Sequence, residues 1–180
     1  MLVEPTQGRA SIEDEGSRLR IAIPSKFNLF VVLFLLFWLG GWTMGEVSVI
    51  RDLFSGRAPA AGLAFMGFWL CGWTLGGIFA FLTVLWMCFG KEILEVDSSL
   101  LSCGKTIFSI GFPKQYRMAD IRNLRVNSYS GYFGSYSSTY IRPSIAFDYG
   151  AKTVRLGYGI DEAEAGQIVK RLQERFSLKA

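Results

Sequence analysis

The stretch Phe27-Asn-Leu-Phe-Val-Val-Leu-Phe-Leu-Leu-Phe-Trp-Leu-Gly-Gly-Trp-Thr-Met-Gly45 decides the fold, because it is apolar and carries no charge. A second uncharged run extends from about Leu63 to Phe89. A helix needs about 20 apolar residues to cross a hydrocarbon core of about 30 Å. Neither run alternates as a barrel strand does. We therefore predict two transmembrane helices, at about 27–45 and 63–89, forming a hairpin within residues 27–90.

A nine-residue repeat lies inside this hairpin, because Phe37–Gly45 matches Phe68–Gly76 at seven of nine positions. The four-residue spacing of its glycines allows close approach of two backbones, and its tryptophans suit the headgroup region. These residues are interpreted as holding the hairpin together and anchoring it at one leaflet. A dimer face or a contact with a larger membrane complex is the alternative. The predicted packing residues are Gly41, Gly45, Gly72 and Gly76, and the predicted interface anchors are Trp38, Trp42, Trp69 and Trp73.

The segment before the hairpin, residues 1–26, has balanced charges and little apolar periodicity, which predicts a mostly disordered head. Within it, residues 18–23 are expected to form a short strand or an interfacial segment. The first apolar run starts late and lacks a small-residue cleavage site, which argues against a signal peptide. Positive charges flank the hairpin at Arg18, Arg20, Lys26 and Lys91, so the positive-inside rule predicts that both termini are cytoplasmic.

From residue 91 onward the pattern changes to short apolar alternations separated by turn residues, which is typical of an antiparallel β domain. Asp161 is a candidate N-cap of a final helix, and Glu164 completes a capping-box pattern. The predicted fold is a membrane helical hairpin followed by a small antiparallel barrel or sandwich over 91–180, capped by that helix. The alternating strand residues expected to share a face include Leu94 with Val96, and Phe108 with Ile110 and Phe112. The apolar stripe of the helix is Ala165, Ile168, Val169, Leu172 and Phe176.

These segments resemble the bacterial pleckstrin-homology-like domain, which is often joined to two membrane helices. The resemblance rests on Glu92–Asp97, Tyr116–Val126, Ile145–Gly159 and the following Asp161-Glu-Ala-Glu-Ala. It implies about seven strands capped by a helix, a bacterial inner-membrane location, and association with membranes and partner proteins without a common enzymatic activity. Phosphoinositide-binding relatives of the wider pleckstrin-homology group carry several basic residues around the first strand hairpin. Here that region offers only Lys105, which argues against headgroup recognition there.

Several kinds of chemistry are excluded by composition. The chain has no histidine and three cysteines, so histidine-based catalysis is excluded and the cysteines alone cannot complete a four-ligand zinc site. There is no phosphate-binding glycine motif. The spanning runs carry no charge, which argues against an ion or proton pathway. We expect no catalytic residue, no cofactor and no metal.

Two features of the β domain are candidates for recognition. Residues 91–180 hold a net charge of +4, and three arginines, Arg117, Arg122 and Arg125, cluster where an anionic lipid surface or an acidic partner would meet them. Ordinary solvated strand positions are the alternative. Nucleic acid is not expected, because the neighbouring aromatics have the pattern of core residues.

The other feature is a tyrosine-rich segment, residues 127–143, in which aromatics alternate with serine and glycine. Tyrosine with small polar neighbours is the composition of adaptable binding loops, although an extension with no partner has the same composition. The candidate partner-binding residues are Tyr129, Tyr132, Phe133, Tyr136 and Tyr140. The sequence thus predicts a two-pass, non-enzymatic interaction or assembly module that contacts the lipid bilayer and a protein partner or a second copy. The alternatives are an accessory subunit of a membrane enzyme or complex, and an anionic-lipid-binding module.

Overall fold

The computed structural model describes residues 8–55, 60–127 and 143–176 of the 180-residue chain. The chain divides into two compact units. The helical unit is Phe27–Cys88, and the β unit is built from both flanks, namely the described parts of Met1–Lys26 and Phe89–Ala180. The helical hairpin is thus an insertion within the sequence of the β unit.

The helical unit consists of α1 (Leu29–Phe54) and α2 (Ala60–Phe89). The Asn28 side chain caps α1 by accepting a hydrogen bond from the Val31 N–H (3.2 Å). Both helices are long and apolar enough to cross a membrane. At 1.5 Å per residue, the 26 residues of α1 extend about 39 Å.

The predicted end of the first helix is wrong. We expected the two helices at about 27–45 and 63–89, but α1 continues to Phe54 and α2 already begins at Ala60. The intervening sequence Glu46-Val-Ser-Val-Ile-Arg-Asp-Leu-Phe54 contains neither glycine nor proline, so its charges do not interrupt the helix. The helix stops at Ser55, whose N–H donates to the Asp52 carbonyl (3.2 Å).

The larger sheet is antiparallel in every pairing. Its strand order is β1-β2-β3-β4-β5, with β6 also paired to β4. The strands are β1 (Ser11–Asp14), β2 (Leu19–Pro24), β3 (Gly90–Val96), β4 (Leu100–Ile107), β5 (Ile110–Gly111) and β6 (Lys114–Arg117).

The prediction of a mostly disordered head is wrong for the described residues 8–26. Leu19, Ile21 and Ile23 of β2 are buried, and β2 pairs with β3 along its whole length. The segment before the hairpin also contacts the final helix, because the Ala10 N–H donates a hydrogen bond to the Glu164 carboxylate (2.6 Å). Of the two expectations for residues 18–23, a short strand is confirmed. Its pairing partner lies beyond the hairpin, about 70 residues later, so local pattern gave no sign of it.

The expectation that Phe108, Ile110 and Phe112 share one face of a strand is also wrong. All three side chains are exposed. β4 ends at Ile107, and the chain reverses at Phe108 and Ser109, whose φ angles are both positive (51° and 67°). A two-residue hairpin turn with two positive φ values is compatible with the twist of the flanking strands. The apolar alternation therefore runs around a turn rather than along a strand.

The smaller sheet has the order β7-β8-β9, formed by β7 (Ile121–Val126), β8 (Pro143–Tyr149) and β9 (Lys152–Tyr158). A register shift in β7 between Arg122 and Arg125 coincides with the positive φ of Asn123 (52°). The described strands form two sheets and no closed barrel. The predicted antiparallel β domain is therefore confirmed, whereas its closure into a barrel is not.

The final helix, α3 (Glu162–Phe176), begins where expected. The Asp161 carboxylate accepts a hydrogen bond from the Glu164 N–H (2.8 Å), as an N-cap does. The Glu164 side chain does not complete a capping box, because it accepts from Ala10 instead. The predicted apolar stripe packs onto the core formed by both sheets, with Ala165, Ile168, Val169 and Leu172 buried and Phe176 partly buried.

Candidate functional site

The tyrosine-rich residues Tyr129, Tyr132, Phe133, Tyr136 and Tyr140 lie outside the described residues. The two ends of their segment are described and lie together. The Asn127 N–H donates to the Ser144 carbonyl (2.9 Å), and its side-chain amide donates to the Pro143 carbonyl (3.1 Å). Residues 128–142 therefore connect β7 to β8 across a hydrogen-bonded base.

The three arginines of the predicted basic cluster differ in their surroundings. Arg125 makes a two-pronged contact with the Asp148 carboxylate (3.0 and 3.3 Å). Arg117 lies 3.8 Å from the Asp120 carboxylate. Arg122 lines an open cavity of about 430 Å³, but two acidic residues, Asp120 and Asp148, line it too. The field that this region presents to an anion is therefore reduced by its own carboxylates.

Asp148 organises the neighbouring turn between β8 and β9. Besides Arg125, its carboxylate accepts hydrogen bonds from the Thr153 hydroxyl (2.7 Å) and the Asn123 amide (2.9 Å). Hydrogen bonds from Thr153, Arg125 and Asn123 lower the pKa of Asp148 to about 2, because all of them favour the charged form. The side chain stabilises the register shift in β7 and the turn after β8.

Two reciprocal hydrogen bonds between the helices join the two copies of the repeat. The Trp42 indole N–H donates to the Trp73 carbonyl (3.1 Å), and the Trp73 indole N–H donates to the Trp42 carbonyl (3.3 Å). The two indoles stack with centroids 4.0 Å apart. Both indole N–H groups therefore have an acceptor, so neither would need a water molecule as its partner. Sequence reasoning placed these tryptophans at the headgroup level and missed this reciprocal contact, which we call the tryptophan clasp.

The glycines of the repeat divide into two classes. A Cβ added at Gly76 would lie 3.1 Å from the Trp42 ring, and one at Gly45 would lie 3.4 Å from the Trp73 ring. Gly77, which the motif did not single out, comes closer still, at 2.9 Å from the Trp42 ring nitrogen. At Gly41 and Gly72 nothing lies within 4 Å. Close packing inside the hairpin thus occurs at the clasp.

Gly41 and Gly72 instead line two open apolar grooves beside the clasp, of about 690 and 610 Å³. Each groove is lined mainly by one copy of the repeat, together with one tryptophan of the other copy. Trp38 lines the first groove and packs against Trp42 in a tilted arrangement (4.2 Å between centroids), and Trp69 lines the second. Another polar contact between the helices joins the Thr74 hydroxyl to the Glu46 carboxylate (2.6 Å).

One buried carboxylate was missed by sequence reasoning. Glu92 lies on the inward face of β3 together with Leu94. The alternation in the sequence had predicted only the apolar residues Leu94 and Val96 on that face. Its carboxylate accepts hydrogen bonds from the backbone N–H groups of Gly157 (3.0 Å) and Tyr158 (2.9 Å) at the end of β9. It therefore links the larger sheet to the smaller one, where Gly157 has a positive φ (81°).

The surroundings of Glu92 explain its electrostatics. Burial raises the pKa of Glu92, against the opposing effects of the two backbone hydrogen bonds and of Lys105. The nearby Cys103 thiol is also partly buried, which raises its pKa to about 11, and the charge of Glu92 acts in the same direction. A thiol in this state is a poor nucleophile at neutral pH. The geometry of this cluster indicates a structural link rather than a reactive centre.

No protein-family model matches this chain, and no curated protein matches it either. Among the described residues, no group of three or more His, Cys, Asp or Glu side chains is placed to hold a metal ion.

Leucine at Gly76 or Gly77 should weaken the hairpin, because its Cβ would push the Trp42 indole out of the clasp. Overpacking of this kind typically costs about 1–3 kcal/mol. Gly76→Leu and Gly77→Leu are each expected to lower the thermal unfolding midpoint of the full chain in detergent. The matched controls are Gly41→Leu and Gly72→Leu, which gain a similar helix propensity but face open grooves. Equal losses in all four variants would contradict the two classes of glycine.

Glu92→Gln should change how stability depends on pH. Since the pKa of Glu92 is raised on folding, the folded protein retains this proton above the ordinary value of 4.5, whereas the unfolded chain releases it. Stability must then fall as pH rises from 4.5 to the raised pKa. Glutamine cannot ionise, so this decline should disappear from unfolding midpoints measured across that window.

The control for this substitution is Glu95→Gln, on the other face of β3, where the carboxylate lies 3.5 Å from the Arg20 guanidinium. That variant should keep the decline. An unchanged pH profile in Glu92→Gln would show that burial of Glu92 is not coupled to folding.

Proposed function

We propose that this chain is a two-pass integral protein of the bacterial inner membrane whose pleckstrin-homology-like β unit acts in the cytoplasm as a non-enzymatic interaction module. The observation that carries the proposal is the pairing of β2 with β3. These strands flank the hairpin, one directly before α1 and the other directly after α2. Two segments that share one ladder must lie on the same side of a membrane, so the hairpin between them crosses twice.

The surface of the helices supports insertion into lipid. Large apolar side chains such as Phe37, Phe68 and Phe79 are exposed on the helical unit. In water such a continuous apolar surface is unfavourable, whereas in hydrocarbon it is the surface that lipid tails require. The tryptophan clasp then provides the specific contact that apolar burial alone cannot supply between helices in lipid.

The assignment to the pleckstrin-homology-like group rests on the element order of the β unit. Antiparallel strands are followed by one amphipathic C-terminal helix that packs on the core of both sheets. The sequence segments that carry the resemblance lie on β3, on β6 through β7, on β8 and β9, and at the start of α3.

A binding role is favoured over a catalytic one, because two carboxylates with distinctive surroundings already accept hydrogen bonds from the protein itself. Glu92 is engaged by backbone N–H groups, and Asp148 is engaged by Arg125, Asn123 and Thr153. The carboxylates with the most distinctive surroundings thus hold strands and turns in place. The candidate regions for a protein partner are the tyrosine-rich connection and the helical unit.

Two partner classes fit these surfaces. The tyrosine-rich connection suits a protein partner in the cytoplasm, because tyrosine with small polar neighbours is the composition of binding loops. The two described ends of this segment are held together by the hydrogen bonds of Asn127. The open grooves at Gly41 and Gly72 favour a second candidate, a transmembrane helix of a second copy or of a larger membrane complex, because small residues permit close helix approach. An anionic-lipid role for Arg117, Arg122 and Arg125 is less favoured, because carboxylates pair with two of them.

Topology can be tested with single cysteines in a background of Cys71→Ala, Cys88→Ala and Cys103→Ala. Ser55→Cys, between the helices, should react with a membrane-impermeant maleimide added outside cells. Ser17→Cys, in the turn between β1 and β2, and a reporter fused after Ala180 should both behave as cytoplasmic. Labelling of Ser17→Cys from outside with protection of Ser55→Cys would invert the orientation, and different sides for Ser17→Cys and the reporter would exclude a two-pass chain.

The protein-partner role is tested by changing Tyr129, Tyr132, Tyr136 and Tyr140 together to Ser. Because aromatic anchors often contribute more than about 2 kcal/mol each at an interface, a partner that co-purifies with the native chain in mild detergent should be lost. The fold should persist, since β7 and β8 pair independently of the segment.

The matched control changes the same four tyrosines to Phe, which keeps the contact area and removes only the hydroxyls. It should retain the partner if aromatic contact dominates. Retention of every partner by the Ser variant would remove the segment from the proposed function. Loss of thermal stability in that variant would show that the tyrosines belong to the core.

A further inference from the structure

The hairpin turn between β4 and β5 presents an unusual surface. Phe108, Ile110 and Phe112 are 59%, 78% and 94% exposed. In the same sheet the inward apolar residues of β2 and β3 are at most 1% exposed. Three large apolar side chains on one short hairpin form a concentrated patch rather than scattered surface positions. We call residues 107–112 the apolar tip.

The backbone of the apolar tip is well defined. Phe108 and Ser109 both adopt positive φ, a conformation that residues with side chains rarely take. Gly111 is required where it stands, since an added Cβ would lie 2.4 Å from the Lys105 carbonyl oxygen. The pairings of Thr106 with Gly111 and of Ile107 with Ile110 fix the register of the turn. The exposure of the apolar side chains is therefore built into the hairpin.

The apolar tip lies where the chain enters and leaves the helices. Ile107 pairs with Gly90, the residue directly after α2, and the Phe108 ring lies 4.4 Å from the Phe89 ring. On the other side of β3, Pro24 pairs with Lys91, and the Ser25 N–H donates to the Gly90 carbonyl (2.9 Å). The chain therefore leaves β2 and enters β3 at the same end of the sheet as the tip.

The charges around the tip match a bilayer surface. No acidic residue occurs between Asp97 and Asp120 in the sequence, whereas Lys105 and Lys114 flank the tip. Lys91, across the ladder from Thr106, is exposed, as is Lys114. Apolar side chains that enter the acyl boundary beneath basic residues are the usual chemistry of attachment to anionic membrane surfaces.

We propose that the apolar tip inserts Phe108, Ile110 and Phe112 into the headgroup and upper acyl region of the same bilayer that α1 and α2 cross. This inference rests on the proposed two-pass insertion. The uncharged run of α2 extends to Phe89 and Lys91 follows it, so Phe89 lies near the bilayer surface when α2 spans the membrane. Ring contact with Phe89 gives Phe108 a similar depth. The bilayer is favoured over a protein as occupant because the tip is continuous with the end of the span. Insertion fixes the β unit against the membrane at a third point besides its two chain connections.

The test uses a polarity-sensitive fluorophore on one cysteine of the full chain, reconstituted in phosphatidylcholine–phosphatidylglycerol vesicles containing lipids with a nitroxide near the headgroup. Ser109→Cys places the probe on the tip, in a background of Cys71→Ala, Cys88→Ala and Cys103→Ala. The matched control is Ala151→Cys, on the turn between β8 and β9. That turn also contains a positive φ, at Gly150, but it has no large apolar side chain.

The probe at Ser109→Cys should be quenched several-fold more than the probe at Ala151→Cys. Adding Phe108→Ser, Ile110→Ser and Phe112→Ser should reduce its quenching to the control level. Equal quenching at both sites in the otherwise native chain overturns the proposal. Blue-shifted emission at Ser109→Cys without nitroxide quenching also overturns it, since that result indicates cover by a second copy or a protein partner.

A third probe separates this inference from the proposed function. Retaining Cys71 as the single labelled cysteine, attached in detergent before reconstitution, reports on α2 itself. Quenching at Cys71 without quenching at Ser109→Cys defeats the tip proposal alone. No quenching at Cys71 by headgroup or acyl-chain nitroxides defeats membrane insertion of the hairpin, and the tip proposal with it.

Discussion

The antiparallel ladder between β2 and β3 is the constraint on which the rest of the structure depends. Six residues on each side of the hairpin pair in register, from Leu19 with Val96 to Pro24 with Lys91. In topological terms the two strands form a β-hairpin whose connection is the entire helical unit. The pairing makes the first strands of the chain part of the β unit and requires α1 and α2 to leave and return at one edge of the sheet. It also buries Leu19, Ile21 and Ile23 beneath the final helix and the smaller sheet.

Hydrophobic pattern in the sequence predicted the elements that depend on residues close together in the chain. The apolar runs gave both helices, and the stripe and cap of α3 were placed correctly because helical periodicity and Asp161 act within a few residues. The extension of α1 past Gly45 was missed because charge was taken as the end of the helix, although a spanning helix can continue beyond the hydrocarbon core. The pairing of β2 was missed because nothing within residues 1–26 identifies a partner about 70 residues away.

For the candidate sites too, the sequence identified residue types but not the contacts that those residues make. Residue type identified the glycine and tryptophan repeat, but the reciprocal Trp42–Trp73 bonds depend on the rotation of two helices, which a motif does not encode. Glu92 has the polarity of a surface residue, and its inward position is explained by the two backbone N–H groups at the end of β9, of Gly157 and Tyr158, that donate to its carboxylate. Phe108, Ile110 and Phe112 follow strand periodicity, yet two positive φ values convert the strand into an exposed turn. The tyrosine-rich residues lie outside the described residues, and their prediction stands as the sequence made it.

The insertion of the hairpin between β2 and β3 couples the stabilities of the two units. Closing a flexible loop of about 65 residues would cost about 4 kcal/mol in chain entropy by the logarithmic loop-length relation. The tryptophan clasp joins Trp42 to Trp73 and so divides this loop, which lowers the entropy cost of pairing β2 with β3. The reverse also holds, because the paired strands limit the separation of the chain ends that lead into α1 and out of α2 and so favour the clasp. Each unit therefore lowers the entropic cost of folding the other, and a mutation that opens the clasp weakens the ladder that orders the β unit.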